Sequence, residues 1–385
     1  ALRVLGFAFK IIKDTKNIEE KNLVWLGLEA MIDPPREEVR EALNECKKAG
    51  IRVIMLTGDN PLTARAIARD IGLESKGVIE GNELDMIDNN ELEKRLYSGI
   101  NIFARISPFH KLRILEILKK KNRVAMTGDG VNDALALKKA DVGIAMGIRG
   151  TDVAREASDI ILLDDNFATI KSAIQEGRRI FDNIRKFINY LFVCNFAEIF
   201  VLFFATLFLT LREPILLPIQ ILWINLLTDG LPALALGLDP ARKDIMSIPP
   251  RKMKEAIINK KLWWLIIVIG IIKTLILFAT FFLTLSRGVD TARTTLFTGF
   301  VLYEFVRIGS IRSQEKLNWF SNKWLILALF LSIVLQLVII YTPASRLFHI
   351  TSISFYEWII LIGGMVIGYV SALVITKIIV KYIKS

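Results

Sequence analysis

A chain of 385 residues has room for two or three domains, and 53% of this one is hydrophobic. Its 50 Lys and Arg outnumber 39 Asp and Glu, for a net charge of +11. The basic residues gather in loops between apolar runs, as expected beside a membrane rather than on a nucleic-acid surface, and two cysteines, Cys46 and Cys194, exclude a disulfide framework. Residues 1–185 have the polarity of a soluble protein, whereas 186–385 are dominated by long apolar runs. The opening at Ala1 is already mid-pattern, so the C-terminal part of something longer is expected.

Apolar stretches at Leu2–Phe9 and Leu23–Leu28 flank a charged, hairpin-like segment at Lys13–Lys21, the pattern of two strands closing off a domain. Asp33-Pro34-Pro35-Arg36 then punctuates the chain, and Glu37–Ala49 has helical spacing. Ile51–Leu56 is a short strand ending in Thr57-Gly58-Asp59, and Ala64–Ile71 is helical with Gly72 as its stop. Asn101–Arg105, Lys111–Lys119, Val124–Met126, Ala134–Lys139 and Val142–Met146 continue the alternation, which predicts a parallel sheet covered by helices on both faces.

Three elements of this soluble part carry phosphate chemistry. Thr127-Gly128-Asp129-Gly130-Val131-Asn132-Asp133 falls where α/β folds gather ligands, between a strand and a helix. Its two glycines permit a tight turn with exposed N–H groups. Asp129 and Asp133, with Asn132 beside them, offer hard oxygens to Mg²⁺. Thr57 can hydrogen-bond a phosphoryl oxygen, and Lys111, opening the helix after ARISPFHK, can neutralise its charge. Phosphoryl transfer depends on positioning and charge neutralisation, so a hydroxyl, an ammonium and a metal carboxylate form a coherent set. Their order resembles that of a haloacid-dehalogenase-like domain.

From Phe187 onward, six apolar spans are expected at about 187–210, 214–238, 262–285, 294–312, 323–342 and 355–378, most of them reaching the roughly 20 residues a bilayer requires. The loop 239–261 carries seven Lys or Arg and the stretch Arg307–Lys323 four more, which marks that side as cytoplasmic. An even number of spans returns the C-terminus to the side of the soluble domain. Gln175–Phe187 has the pattern of a helical stalk running into the first span.

Ionisable residues inside spans point to function because leaving them in lipid is costly. Asn195 and Glu198 share one face of the first span, and Asn225, Thr228 and Asp229 one face of the second. Gly230 and Pro232 follow at once, and a helix broken there exposes carbonyls to a cation. Glu304 lies in the fourth span. The bland alternative is hydrogen-bonded glue between helices. These side chains together supply roughly six to eight hard oxygens, a number suited to Ca²⁺.

DPPR (33–36), MLTGDN (55–60), ARISPFHK (104–111), MTGDGVNDALALKKADVGIAMG (126–147) and LLDDNFATI (162–170) closely resemble the phosphorylation-domain motifs of P-type cation-transporting ATPases, and the likeness covers nearly the whole chain. It implies that Thr57 with Gly58 and Asp59, Lys111, Asp129, Asn132 and Asp133 surround a phosphorylated aspartate, with Mg²⁺ on Asp129. It also implies that Arg3, Arg36, Asp59 and Arg105 help bind ATP. NxxE in one span followed by NxxTDGLPA in the next resembles the sarcoplasmic/endoplasmic-reticulum type of calcium pump, and Glu304 matches that family's further acidic ligand. Sodium/potassium pumps typically carry an aspartate where Asn225 stands.

The DKTGT motif of the phosphorylated aspartate and the TGE dephosphorylation loop do not occur in the chain. Both would precede residue 1, so this chain alone is not expected to form the aspartyl phosphate. The resemblance implies the end of a nucleotide-binding domain at 1–30, a haloacid-dehalogenase-like α/β phosphorylation domain at 31–174, a stalk at 175–186 and an all-α six-helix transmembrane bundle at 187–385. The implied function is ATP-driven Ca²⁺ transport out of the cytoplasm, with membrane lipid, ATP, Ca²⁺ and the pump's own N-terminal portion as partners and no nucleic acid. Rival readings are a pump for Na⁺ or K⁺ and a non-catalytic truncated product. A membrane-anchored phosphatase would need its own nucleophilic aspartate in a DxDx[TS]-like context, which is not found.

Overall fold

A computed structural model of the chain describes residues 3–12, 20–31, 34–209, 214–252 and 255–383, with Arg3 described by its backbone only. Most of the charged segment Lys13–Lys21, the side chain of Arg3, and Asp33 of the DPPR motif lie outside the described residues. The chain divides into two compact units, Ala1–Ile174 with Met246–Met253, and Gln175–Ile245 with Lys254–Ser385.

The first unit opens with an antiparallel ribbon of β1 (Arg3–Phe9) and β2 (Val24–Met31), the pair of strands expected there. An alternating α/β run follows: α1 (Glu38–Lys48), β3 (Met55–Leu56), α2 (Pro61–Ile71), β4 (Val78–Glu80), α3 (Gly81–Met86), α4 (Asn89–Tyr97), β5 (Ile102–Ala104) and α5 (Pro108–Lys119). Then come β6 (Ala125–Gly128), α6 (Ala134–Lys139), β7 (Val142–Met146), α7 (Asp152–Ala157) and β8 (Ile160–Leu162).

Local chemistry sets these boundaries. Asn60 caps α2 by accepting from Leu62 N at 2.9 Å, Pro61 suits its first turn, and Gly72 ends it at φ +77°. Ser107 and His110 form a reciprocal capping box at the start of α5. The single parallel sheet expected from the alternation is two three-stranded parallel sheets, ordered β3-β5-β4 and β6-β7-β8. β3 is only Met55–Leu56, because Ile51–Ile54 lie outside any strand. Leu56 and Val124 pack against both the Phe103–Ile114 cluster and the Met126–Leu137 cluster, so side chains join the halves.

The second unit is helical. α8 (Phe167–Phe208) is one helix of 42 residues, about 60 Å long, which begins within the first unit and absorbs both the expected stalk and first span. The second span is α9 (Pro218–Trp223), a π-helical turn at Ile224–Thr228, and α10 (Gly230–Leu236), so the helix is broken where Gly230 suggested. α11 (Lys260–Leu285), α12 (Val289–Gln314), α13 (Lys323–Tyr341), the short α14 (Ser345–Phe348) and α15 (Phe355–Tyr382) complete it.

Among the described residues five helices are long and apolar enough to cross a membrane: α8, the broken helix Pro218–Leu236, α11, α13 and α15. α12, the fourth span of the sequence reading, is long enough but fails on apolarity. It carries Arg293, Glu304, Arg307 and Arg312, and 19 of its 26 residues are buried. Its polar side chains turn into protein: Thr294, Thr295 and Thr298 each donate to the carbonyl four residues back at 2.8 Å. Phe297, Phe300, Phe281 and Leu361 form the core around it. Hydropathy averaged along a helix with protein on most sides no longer reports lipid.

Candidate phosphate and cation sites

In the first unit the three phosphate elements stand at the C-terminal ends of β3, β5 and β6, as parallel-sheet sites require. Thr57 N donates to Phe103 O at 3.0 Å, Arg105 N to Asp59 O at 2.9 Å, and Ile106 N to Thr57 O at 3.2 Å, so the first two loops are stitched together. Arg105 holds φ +50° at this crossing. Thr57 and Asp59 form a closed local turn, with Thr57 Oγ1 2.9 Å from Asp59 Oδ2 and Asp59 N 3.1 Å from Thr57 Oγ1.

Lys111 Nζ donates to Asp133 Oδ1 at 2.7 Å, which ties the α5 loop to the β6 loop. Asp133 is buried, whereas Asp129 and Asn132 are exposed. Asp129 N also leans on Asp133 Oδ2 at 3.4 Å, and Asp129 O accepts from Thr151 N at 2.8 Å, so the backbone of Asp129 is held while its carboxylate stays open. A Cβ on Gly128 would stand 2.8 Å from Asp133 Cγ, and this close approach is why the loop has glycine there.

The two aspartates therefore divide their roles. Asp133 holds the lysine, and the Asp129 carboxylate stays open. Among the described residues no group of three or more His, Cys, Asp and Glu could hold a metal. One open carboxylate nevertheless fits Mg²⁺, which takes its remaining ligands from phosphate and water.

The nucleotide residues are less gathered. Arg105 is 3.9 Å from Glu80 Oε2, and Arg36 stands near Asp164 and Glu38. Sequence reasoning missed His110, which is buried, touches Asp85 Oδ1 at 2.8 Å and caps the helix that carries Lys111. Its position three residues after Ser107 was the available signal.

In the second unit five of the six expected cation residues converge. Asn225 Nδ2 donates to both Glu198 oxygens at 3.1 Å. Thr228 Oγ1 donates to Ile224 O at 3.0 Å, and Asp229 N to Ile224 O at 2.8 Å, the bonding of the π turn. Asp229 is 1% exposed and accepts from Tyr190 OH at 2.9 Å, a partner absent from the sequence reading. Glu304 is fully buried beside Asp229 and Thr228. Both Glu304 oxygens and Asp229 Oδ2 lack a hydrogen-bond partner. Buried carboxylate oxygens without donors call for a cation. Asn195 is exposed on α8 and is not brought into the cluster; Asn225, though exposed, is bonded into it.

Comparison with known proteins identifies the family. The family described as haloacid dehalogenase-like hydrolase matches residues 6–141, and the one described as cation transporting ATPase, C-terminus, matches residues 213–383. The chain belongs to the P-type cation-transporting ATPases, with a haloacid-dehalogenase-like domain followed by helices long and apolar enough to span a membrane. Its relatives are calcium pumps. It is 46% identical over 377 residues to a calcium-transporting ATPase of Bacillus subtilis, covering 94% of this chain and 42% of that protein. It is 42% identical over 409 residues to calcium-transporting ATPase 1 of Bacillus cereus, covering 98% and 45%, and 41% identical over 372 residues to calcium-transporting ATPase type 2C member 1 of Bos taurus, covering 94% and 38%. The chain thus spans less than half the length of the curated relatives it matches.

Proposed function

We propose that this chain is the phosphate-handling and ion-carrying part of an ATP-driven pump that moves Ca²⁺ out of the cytoplasm. The reading rests on one observation above the rest: Glu198, Asp229 and Glu304 meet among apolar helices with three carboxylate oxygens unsatisfied. Hard oxygens from these acids, Thr228 and Asn225 suit Ca²⁺ better than a soft metal. Asn195 joins them where a further part of the pump covers its face of α8. The names of the relatives point the same way.

In the soluble unit, Lys111 neutralises the phosphoryl group, Thr57 hydrogen-bonds it and Asp133 holds the lysine in place. Arg36, Asp59 and Arg105, with Arg3, take the nucleotide. Asp129, with Asn132 beside it, would hold Mg²⁺, which supplies charge neutralisation at the transferring phosphate. The phosphorylated aspartate comes from a preceding part of the same pump. We read six crossings, α12 among them, and with the basic loops this count supports a cytoplasmic soluble unit and C-terminus.

The test is ATP-dependent ⁴⁵Ca²⁺ uptake into inverted vesicles by the full-length gene product and its Asp229→Asn variant. Uptake that the substitution abolishes is the expected result. ATP hydrolysis stimulated by Na⁺ or K⁺, with no calcium uptake, would sink the calcium assignment.

A further inference from the structure

A second kind of charge stands at the edge of the acidic cluster. Lys273, in the middle of α11, is 6% exposed, and its Nζ donates to Cys194 Sγ at 3.3 Å and lies 5.9 Å from the centre of the Phe300 ring. The carboxylates of Glu304, Asp229 and Glu198 all lie within its electrostatic reach, and among the described residues Lys273 forms no ion pair with them. Arg307, a buried cation on α12, is engaged elsewhere, donating to Asn189 Oδ1 at 2.5 Å and Ser310 Oγ at 3.1 Å.

A buried ammonium is costly in an apolar bundle unless it serves the charges around it. Simple packing would favour leucine or methionine at this position, with apolar neighbours such as Ile269, Ile276 and Phe300. Three carboxylates less one ammonium leave two net negative charges, which one divalent cation neutralises.

We infer that Lys273 is a built-in counter-cation of this carboxylate set, lowering its affinity for Ca²⁺. The inference rests on the calcium reading above. It assigns Lys273 a role in selectivity rather than in chemistry, since it reaches the ion's field through space and not as a ligand. A fixed positive charge beside a cation site repels the incoming ion. Removing it leaves three negative charges, which hold a divalent ion more tightly and leave one charge over for a further cation.

Equilibrium ⁴⁵Ca²⁺ binding to the full-length protein in detergent tests this, with Lys273→Met, Lys273→Gln and Lys273→Arg beside Lys260→Met at the far end of α11. Either neutral variant should bind Ca²⁺ at least tenfold more tightly, whereas Lys273→Arg and Lys260→Met stay within about twofold of wild type. The glutamine variant carries the test if the methionine variant does not fold. Wild-type binding of Ca²⁺ with unchanged or weaker affinity in the folded neutral variants overturns the role of Lys273. Wild-type protein that binds Na⁺ or K⁺ but no Ca²⁺ overturns the calcium reading on which that role depends.

Discussion

Lys111 Nζ and Asp133 Oδ1 lie 2.7 Å apart, so the lysine that would meet a phosphoryl group is already gripped by a buried carboxylate from the next loop. A free lysine side chain samples many rotamers, and this ion pair removes most of them before substrate arrives. It also leaves Asp129 as the open carboxylate of the pair.

Asp133→Ala should slow phosphoenzyme formation by at least 100-fold in the full-length pump and cost about 1–3 kcal/mol of stability. Asp133→Asn, which can still accept from Lys111, should retain more of both. Labelled ATP and thermal unfolding in detergent measure the two effects. Full-rate phosphorylation in the alanine variant would remove Asp133 from the site.

Asp141 links the β6 and β7 ends of the soluble unit. Burial works to raise its carboxyl, but the Val124 N–H and Arg123 Nη1, each at 2.9 Å, and Lys119 at 3.8 Å hold it below the usual carboxylate range. A carboxyl depressed in the folded state contributes stability that is fully present above its unfolded pKa near 3.9, and loses it as pH falls through the folded value. Acidification below about pH 4 should therefore destabilise this unit. Asp141→Asn should lose about 1–2 kcal/mol at neutral pH and flatten the acid limb of the melting curve. An acid limb identical to wild type would show that other carboxyls control it.

Tyr190 fixes one oxygen of Asp229 from within α8. Tyr190→Phe keeps the ring and removes only the hydroxyl, so the fold should survive with about 1 kcal/mol of loss. Half-saturating Ca²⁺ should rise several-fold because the ligand is less well held. Uptake titrations against free Ca²⁺ read this directly, and an unaltered titration would confine the hydroxyl to packing.

Asp239, fully buried just after α10, receives Lys186 Nζ at 3.3 Å, Asn322 Nδ2 at 2.8 Å and the guanidinium of Arg312. One carboxylate thereby joins α8, α12 and the start of α13, and Lys186 reaches on to Glu315 at 2.7 Å. Asp239→Ala takes the carboxylate partner from buried Arg312 and one of two from Lys186, and should cost about 3–5 kcal/mol. The melting temperature of the detergent-solubilised protein measures this, and a shift of under about 1 °C would mean that the cations find other partners.

Much of this was legible in the sequence, because some patterns report local geometry and solvent. The Gly-rich loop Thr127–Asp133, the Gly72 stop of α2, the long apolar runs and the break at Gly230 all follow from turn chemistry, capping or hydropathy along a few consecutive residues. The pairing of Thr57 with the later Lys111 and Asp129 loops followed from the rule that parallel strands present their ends together.

Where local pattern was not enough, the deciding contact was distant in the chain. Asn195, three residues before Glu198, is exposed on α8, because the rotation of that helix about its axis is set by packing around Val193, Ala197 and Val201. α12 lost its apolar signature because neighbours rather than lipid surround it. The sequence by itself determined the class of protein, the order of its phosphate loops and the residue types of its cation cluster, since these are encoded in contiguous motifs. Only the tertiary structure decided that Asp133 serves Lys111, that Tyr190 serves Asp229 and that Lys273 stands beside the acids. Those pairings join residues 22, 39 and about 30 or more positions apart, over which side-chain direction depends on packing rather than on local periodicity.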